Sequence, residues 1–349
     1  MIKLFLFFVF FIFILILWFF LFPVRRTKRV FLCEDLVEPP EKFIYSYVFH
    51  IHTQFSYDSL GKPQDVIEAR DLLGIDFVVV TDHDDDSIKI FADERLLAGK
   101  EIKLNNKEGQ LQGNLLQIGS INVIAHHFRN RYRWKLEKNK DFLFELINLR
   151  DVFLAHKRKL FFYSITAILL YPFMGKSLIS SFIKLIDTKS YALKYLSEGW
   201  RCKIIGGLDH HVKFYVKEVK RRIMLPSYKI SFSLMRNFLL SSIPIKGKED
   251  FLKAMKEGVN VISFSDKPSF VWVEENKIKA CSPFTNTYMI VISENLKERE
   301  FLGSNLLLSD LEPGYYIILG YTYKFRFGGM LFGVKPLFVS DLLEIEDDN

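Results

Sequence analysis

The sequence predicts an α/β domain followed by a small all-β domain, and three observations carry that prediction. An apolar run ends in Phe49-His50-Ile51-His52-Thr53, which reads as a strand whose two histidines share one face, because strand side chains alternate with period two. Gln64 to Leu73 then places Val66, Ile67, Ala69 and Leu73 at helical spacing, with Gly74 where a helix would end, before the apolar run Phe77–Val80. Strand, helix and strand in that order imply a βαβ unit. Beyond about residue 225 the pattern changes to short apolar strands with turn signals: Val259–Phe264, Ser269–Glu274, Thr287–Ser293, Tyr315–Tyr323 and Gly333–Val339. Lys248–Gly258 is the one amphipathic helix among them, and Pro313-Gly314 marks a tight turn.

The N-terminus is of a different kind. Leu4 to Val24 is an unbroken apolar run, long enough as a helix to cross a bilayer core of about 30 Å. It lacks the small-residue cleavage site of a signal peptide. The expectation is a retained single-span anchor over residues 1–24. A stiff linker follows over 25–42, carrying the pair Pro39-Pro40. Arg25, Arg26, Lys28 and Arg29 outnumber Lys3, so the positive-inside rule places the body on the cytoplasmic side.

Composition narrows the function classes. At 349 residues the chain has room for two cores, expected at 43–230 and 245–349. The net charge of +7 is mild, and no basic run with interleaved aromatics suggests nucleic acid. Cys33, Cys202 and Cys281 form no CxxC pair and no even framework, so they read as free thiols rather than a zinc site or disulfides.

The chemistry is concentrated in histidine. All eight (His50, His52, His83, His126, His127, His156, His210, His211) lie between residues 50 and 211. One buried histidine on an apolar strand is usually a satisfied core residue. Two at i, i+2, answered by a second strand ending in Thr81-Asp82-His83, would each need a buried partner, whereas one shared metal satisfies them together. The βαβ order gathers them at the C-terminal strand edge, where α/β proteins build sites.

With those residues in view, the pattern His50-x-His52-Thr53, Ser56-x-Asp58, Thr81-Asp82-His83 resembles the opening of the PHP family, the polymerase and histidinol phosphatase domain. The later motifs of that family are also present in order. They are Gly99-x-Glu101, Ala125-His126, Glu145-x-x-Asn148 and Asp209-x-His211. The resemblance covers about residues 45–215. It implies a distorted seven-stranded β/α, TIM-like barrel, here preceded by a transmembrane helix and followed by a sandwich-like β domain. It also implies a metal-dependent hydrolase, a phosphoesterase that cleaves a phosphate mono- or diester with a hydroxide carried on two or three divalent ions (Mn, Zn or Fe). The implied ligands are His50, His52, Asp58, His83, Glu101, His126, Asp209 and His211, with Asp82 orienting His83 or a neighbouring ligand.

One position departs from the family. Asn114 stands where relatives often carry a histidine, which leaves the third ion weak or missing. That departure also favours an alternative: a catalytically weak metal- or phosphate-binding sensor or scaffold. Hydrolysis of a non-phosphate substrate is a further one. Arg129 and Arg131 read either as a bidentate phosphate clamp or as the solvated face of an extended segment. His127, His156 and His210 fall outside the matched positions and read as packing or surface residues. Residues 160–174, apolar and flanked by Lys157, Arg158, Lys159 and Lys176, read as a helix on the membrane surface or as a core helix. Tyr321, Tyr323, Phe325 and Phe327 alternate as a carbohydrate platform would, and as packing residues do.

Overall fold

The computed structural model describes residues 2–21, 23–33, 37–174, 176–218 and 221–347. Most described strands join one sheet. Its first half comprises β1 (Phe43–Ile51), β2 (Phe77–His83), β3 (Leu96–Asn105), β4 (Leu111–Ile118), β5 (Ile121–Ala125), β6 (Leu143–Asn148) and β7 (Lys203–Gly207). Its second half comprises β8 (Arg236–Ser241), β9 (Val259–Ser263), β10 (Thr287–Ser293), β11 (Glu298–Leu302), β12 (Gly314–Thr322) and β13 (Lys335–Ser340). The strands run in the order β11, β10, β12, β13, β9, β8, β1, then β2 to β7 in sequence.

β1 and β2 pair in parallel across the helix Pro63–Leu72, which starts with Pro at its first turn and stops before Gly74 at φ 59°. β2 is buried on both faces apart from its last residue, as a parallel strand between two layers must be. β3 pairs with β2 in parallel as well, but the connection from β3 to β4 is different. Asn106 accepts from the amides of Glu108 (3.1 Å) and Gln110 (2.8 Å), and Gly109 takes φ 78°, so the chain reverses tightly. β3, β4 and β5 are therefore antiparallel neighbours, and the parallel order resumes only at β5–β6–β7.

These pairings correct the expected closed seven-stranded barrel. The last strand, β7, returns to β1 without forming a ladder. The chain beyond it makes one isolated parallel bridge, Ile51 to His210, supported by backbone bonds from Leu208 to Phe49 (2.9 Å) and from His52 to His210 (3.0 Å). The sheet is an open path, and the chain after its β7 end comes back beside β1, a strand in its interior. The separate β sandwich is corrected too. β9 to β13 extend the main sheet, while Phe270–Glu274, Lys277–Cys281 and Asn305–Leu308 form a separate three-stranded sheet, and Phe325–Phe327 and Met330–Phe332 form another with Val24–Arg26. β8 is the hinge of this arrangement, paired with β1 on one side and β9 on the other.

Alternation along the strands divides the core. Val48, Val78 and Val80 face one apolar cluster, while Tyr47, Phe49, Phe77 and Val79 face another. Ile51 joins the first because the register slips between Val48 and Ile51, where His50 takes φ 60°. Helix Lys248–Glu257 covers the second with Phe251, Leu252 and Met255.

The N-terminal expectation is also corrected. Ile2–Leu21 is helical, and the side chains described in it are those of residues 3–14. Among the described residues no helix is long and apolar enough to cross a membrane. The rest of the expected anchor, residues 15–22, lies outside the described side chains. The single-pass topology and the cytoplasmic placement derived from it lose their basis. In helix Lys157–Met174, Tyr163 is buried and Leu160 packs on the core, while Phe161, Phe162 and Ile165 are exposed. The described part of this helix shows no membrane anchoring, and its side chains from 166 onward lie outside the described residues.

Candidate metal centre

The ends of β1, β2, β3, β5 and β7 bring their polar residues to one place. His50 and His52 leave β1, His83 ends β2, Glu101 lies on β3, His126 follows β5, and Asp209 and His211 follow β7. His50, His126 and Asp209 have φ of 60°, 56° and 47°. Left-handed backbone at a non-glycine residue is strained, and here it turns three side chains inward at the points where their strands end.

Glu101 and Asp209 stand at the middle, both almost wholly buried. One oxygen of Glu101 is 3.2 Å from His50 Nε2, 3.3 Å from His52 Nε2 and 3.3 Å from His83 Nδ1. Its other oxygen lies 3.2 Å from His126 Nε2. Asp209 Oδ1 is 3.2 Å from His211 Nδ1 and 3.5 Å from His52 Nε2, while Oδ2 is 3.7 Å from His126 Nε2. Asp58 closes the cluster at 3.0 Å from His211 Nε2 and 3.6 Å from His83 Nε2.

Charge follows from this packing. Burial opposes ionisation of Glu101, yet bonds from His126, His50 and His52 hold its carboxyl well below the usual range. Burial likewise opposes ionisation of Asp209, but the neighbouring His50 and His126 keep it an anion. Burial disfavours a charged His50, and Glu145, Asp209 and Glu101 outweigh it, raising the imidazolium to about 10. His83, which burial dominates, falls to about 4.

The histidines share one manner of support. His50 Nδ1 meets Glu145 at 2.6 Å, His52 Nδ1 meets Ser56 Oγ at 3.0 Å, and His126 Nδ1 meets Asp151 at 2.6 Å. His211 Nδ1 lies 2.9 Å from the Asp209 carbonyl. Anchoring one ring nitrogen fixes the tautomer and leaves Nε2 as a donor pair facing inward. The fit to a metal is tested by what lacks a partner. Among the described residues, His52 Nε2, His211 Nε2, Asp58 Oδ1 and Asn114 Oδ1 are buried without a hydrogen bond, a cost that a cation would remove. Four overlapping groups among the described residues have the reach to hold an ion: His52, Asp58, His83 and His211; His50, His52 and Glu101; His50, His126 and Glu145; His126, Asp151 and Asp209. The donors suit divalent ions.

Asp82 occupies a different layer. Its carboxylate accepts from Thr53 N (2.6 Å), Thr53 Oγ1 (2.7 Å) and Ser56 Oγ (2.9 Å). Ser56 in turn holds His52 and accepts from the His83 amide at 3.0 Å, so Asp82 reaches the centre through that hydroxyl. Asn114 donates to Glu101 at 2.7 Å. Arg129 and Arg131 sit beside Tyr132 and line a cavity of about 380 Å³ with His126 and Lys157, and Arg129 also reaches Asp151 at 3.3 Å. His127 pairs with Glu198 at 2.7 Å, and His210 with Ser231 at 2.6 Å. His156 lines a cavity elsewhere.

Sequence reasoning passed over Asp151 and Arg150. Arg150 lies 3.4 Å from Asp209 and 3.9 Å from Asp58, at the exposed side of the cluster. Both lie just past Asn148, whose side chain caps the helix Leu149–Ala155 by accepting from Asp151 N at 2.9 Å. A cap signal at the end of an apolar strand is the cue that would have found them. Gly207 has an equally local reason: a Cβ there would overlap Glu145 Oε1, the atom that holds His50.

Asp151→Asn is expected to weaken metal binding about 10–100-fold, since an orienting partner of a ligand histidine is removed while the ligands remain. Metal titration of the full chain, followed calorimetrically, checks this. Unchanged affinity would mean that the 2.6 Å contact to His126 does not orient it.

No family model matches this sequence, and no curated protein matches it. Among solved structures the chain is similar to a two-domain protein from Bacteroides vulgatus ATCC 8482 described as containing a "predicted PHP-like metal-dependent phosphoesterase". The identity is 11%, the match covers 84% of this chain and 94% of that one, and the TM-score is 0.39.

Proposed function

We propose that this chain is a metal-dependent phosphoesterase. One observation supports the reading above others. Four histidines are held at Nδ1 while their Nε2 atoms converge on Glu101, Asp209 and Asp58. A fold stabilised by packing alone has no use for so many converging buried polar groups.

His50, His52 and Glu101 would hold one divalent ion, and Asp58, His83 and His211 a second. Asp209 and His126 lie between or beside them. Bound ions of this kind supply Lewis acidity, neutralising charge at a phosphoryl oxygen and lowering the pKa of water. The chain's own residues do the rest. Asn114 fixes the Glu101 carboxylate through its amide N–H. Asp82, through Ser56, fixes the ring of His52. Arg129 and Arg131, at the mouth beside His126, would receive the phosphate by paired N–H donors, and Arg150 would do so on the side of Asp58. Tyr57, exposed and stacked on His83 at 4.8 Å, shields that side of the cluster.

The test is hydrolysis of a phosphate monoester and a diester by the full chain with Mn²⁺ or Zn²⁺ added. Turnover that chelation abolishes and metal restores is the expected result. Metal-loaded protein that turns over neither ester would overturn it.

A further inference from the structure

Apart from the metal centre, β8, β12 and β13 line another cavity of about 430 Å³, none of whose lining residues belongs to the cluster above. Arg236, the first residue of β8, reaches into it and is 6% exposed. The only hydrogen bond of its guanidinium among the described residues is a long one, 3.5 Å from Nη2 to the Phe232 carbonyl, and it has no ion pair there. The other guanidinium in the buried set behaves quite differently. Arg70 places Nε 2.9 Å from Asp71 and Nη1 2.7 Å from Asp93. Leaving a guanidinium's five donors buried and almost unused carries a cost that a native fold seldom accepts without a ligand.

The surroundings point to the sign of that ligand. Lys324 and Lys335 line the same cavity, and neither forms an ion pair among the described residues. Burial, with Lys324 beside it, holds the Lys335 ammonium below the usual lysine range. Thr322 adds a buried hydroxyl with no hydrogen-bond partner among the described residues. One carboxylate, Asp266, lines the rim; it is exposed and more than an ion-pair distance from Arg236. Three cations, a vacant hydroxyl and a volume in the range of small-ligand pockets describe a receptor for a small dianion.

We propose that this cavity binds a phosphate group, with Arg236 as the bidentate anchor and Lys324, Lys335 and Thr322 around it. Free phosphate and a small organic phosphate share that chemistry. The site is independent of the catalytic reading, since no metal ligand takes part.

The experiment uses the full chain with a chelator present, so that phosphate held through metals does not contribute. Inorganic phosphate and phenylphosphonate are titrated separately, against chloride at equal ionic strength. Both anions should bind, and the tighter of the two identifies the source. Arg236→Met and Lys335→Met should each weaken binding by about tenfold or more. Arg236→Met should also unfold no earlier than the parent when phosphate is absent, because it removes an uncompensated buried charge. The proposal falls if phosphate stabilises the parent no more than chloride does. It falls equally if both variants bind phosphate as the parent does, which leaves an adventitious ion only. Should Arg236→Met fail to fold, Lys335→Met alone decides.

Discussion

Asp209→Ala is expected to lower kcat/KM for metal-dependent ester hydrolysis by about 10³-fold or more, a loss of several kcal/mol of the kind that metal catalysis supplies. The carboxylate faces His52 and His211 with one oxygen and His126 with the other, so no neighbour can take over both directions. Alanine leaves the strained turn at φ 47° in place. The backbone bonds that Leu208 and His210 donate to β1 involve main chain alone, so the fold should persist. Steady-state kinetics with saturating Mn²⁺ measures the loss, and circular dichroism verifies the fold. Retention of activity within about tenfold of the parent would place the chemistry somewhere other than this cluster.

The largest expected effect on stability is at the opposite face of the sheet. Phe251 is wholly buried, stacked on Phe77 with centroids 4.3 Å apart and edge-on to Tyr47 at 5.3 Å. Tyr47 is pinned in turn by its hydroxyl on Asn260 at 2.8 Å, so the pocket around Phe251 has little freedom to collapse. Phe251→Ala should cost about 3–5 kcal/mol, from lost transfer energy and the cavity left behind. Chemical denaturation of the full chain reads it as a fall in midpoint. A cost under about 1 kcal/mol would mean that the helix Lys248–Glu257 does not seal this core.

How much of this was legible follows from the range of each signal. The βαβ start was legible because it is local. Helical spacing in Gln64–Leu73 and the run Phe77–Val80 correspond to Pro63–Leu72 and Phe77–His83. The helix Lys248–Glu257 was read for the same reason. The histidines that the structure brings together were visible as strand-end residues in the His50-x-His52 and Asp82-His83 pairs, although His50 at φ 60° interrupts the alternation that the spacing implies. The antiparallel insertion of β4 was missed, although Asn106 and Gly109 carry its turn, because a run such as Leu111–Ile118 reads the same in either direction of pairing. β8 was missed as a bridge because neither of its partners, β1 nearly two hundred residues earlier and β9, leaves a mark on Arg236–Ser241 itself. Asp151 and Arg150 were missed since their importance depends on where a short helix points. The apolar N-terminus was over-read: composition alone was taken for a span that the described residues do not carry.

The left-handed turns at His50, His126 and Asp209 have a consequence for how this protein can be improved or can drift. At each, only glycine would relax the backbone, by roughly 1 kcal/mol, and glycine would delete the donor in the same change. Selection for heat resistance alone therefore draws these three positions toward silence, while selection for activity holds them in tension. A library sorted on stability would be enriched in inert chains altered at the strand ends, and the same positions mark where stability and activity trade against each other.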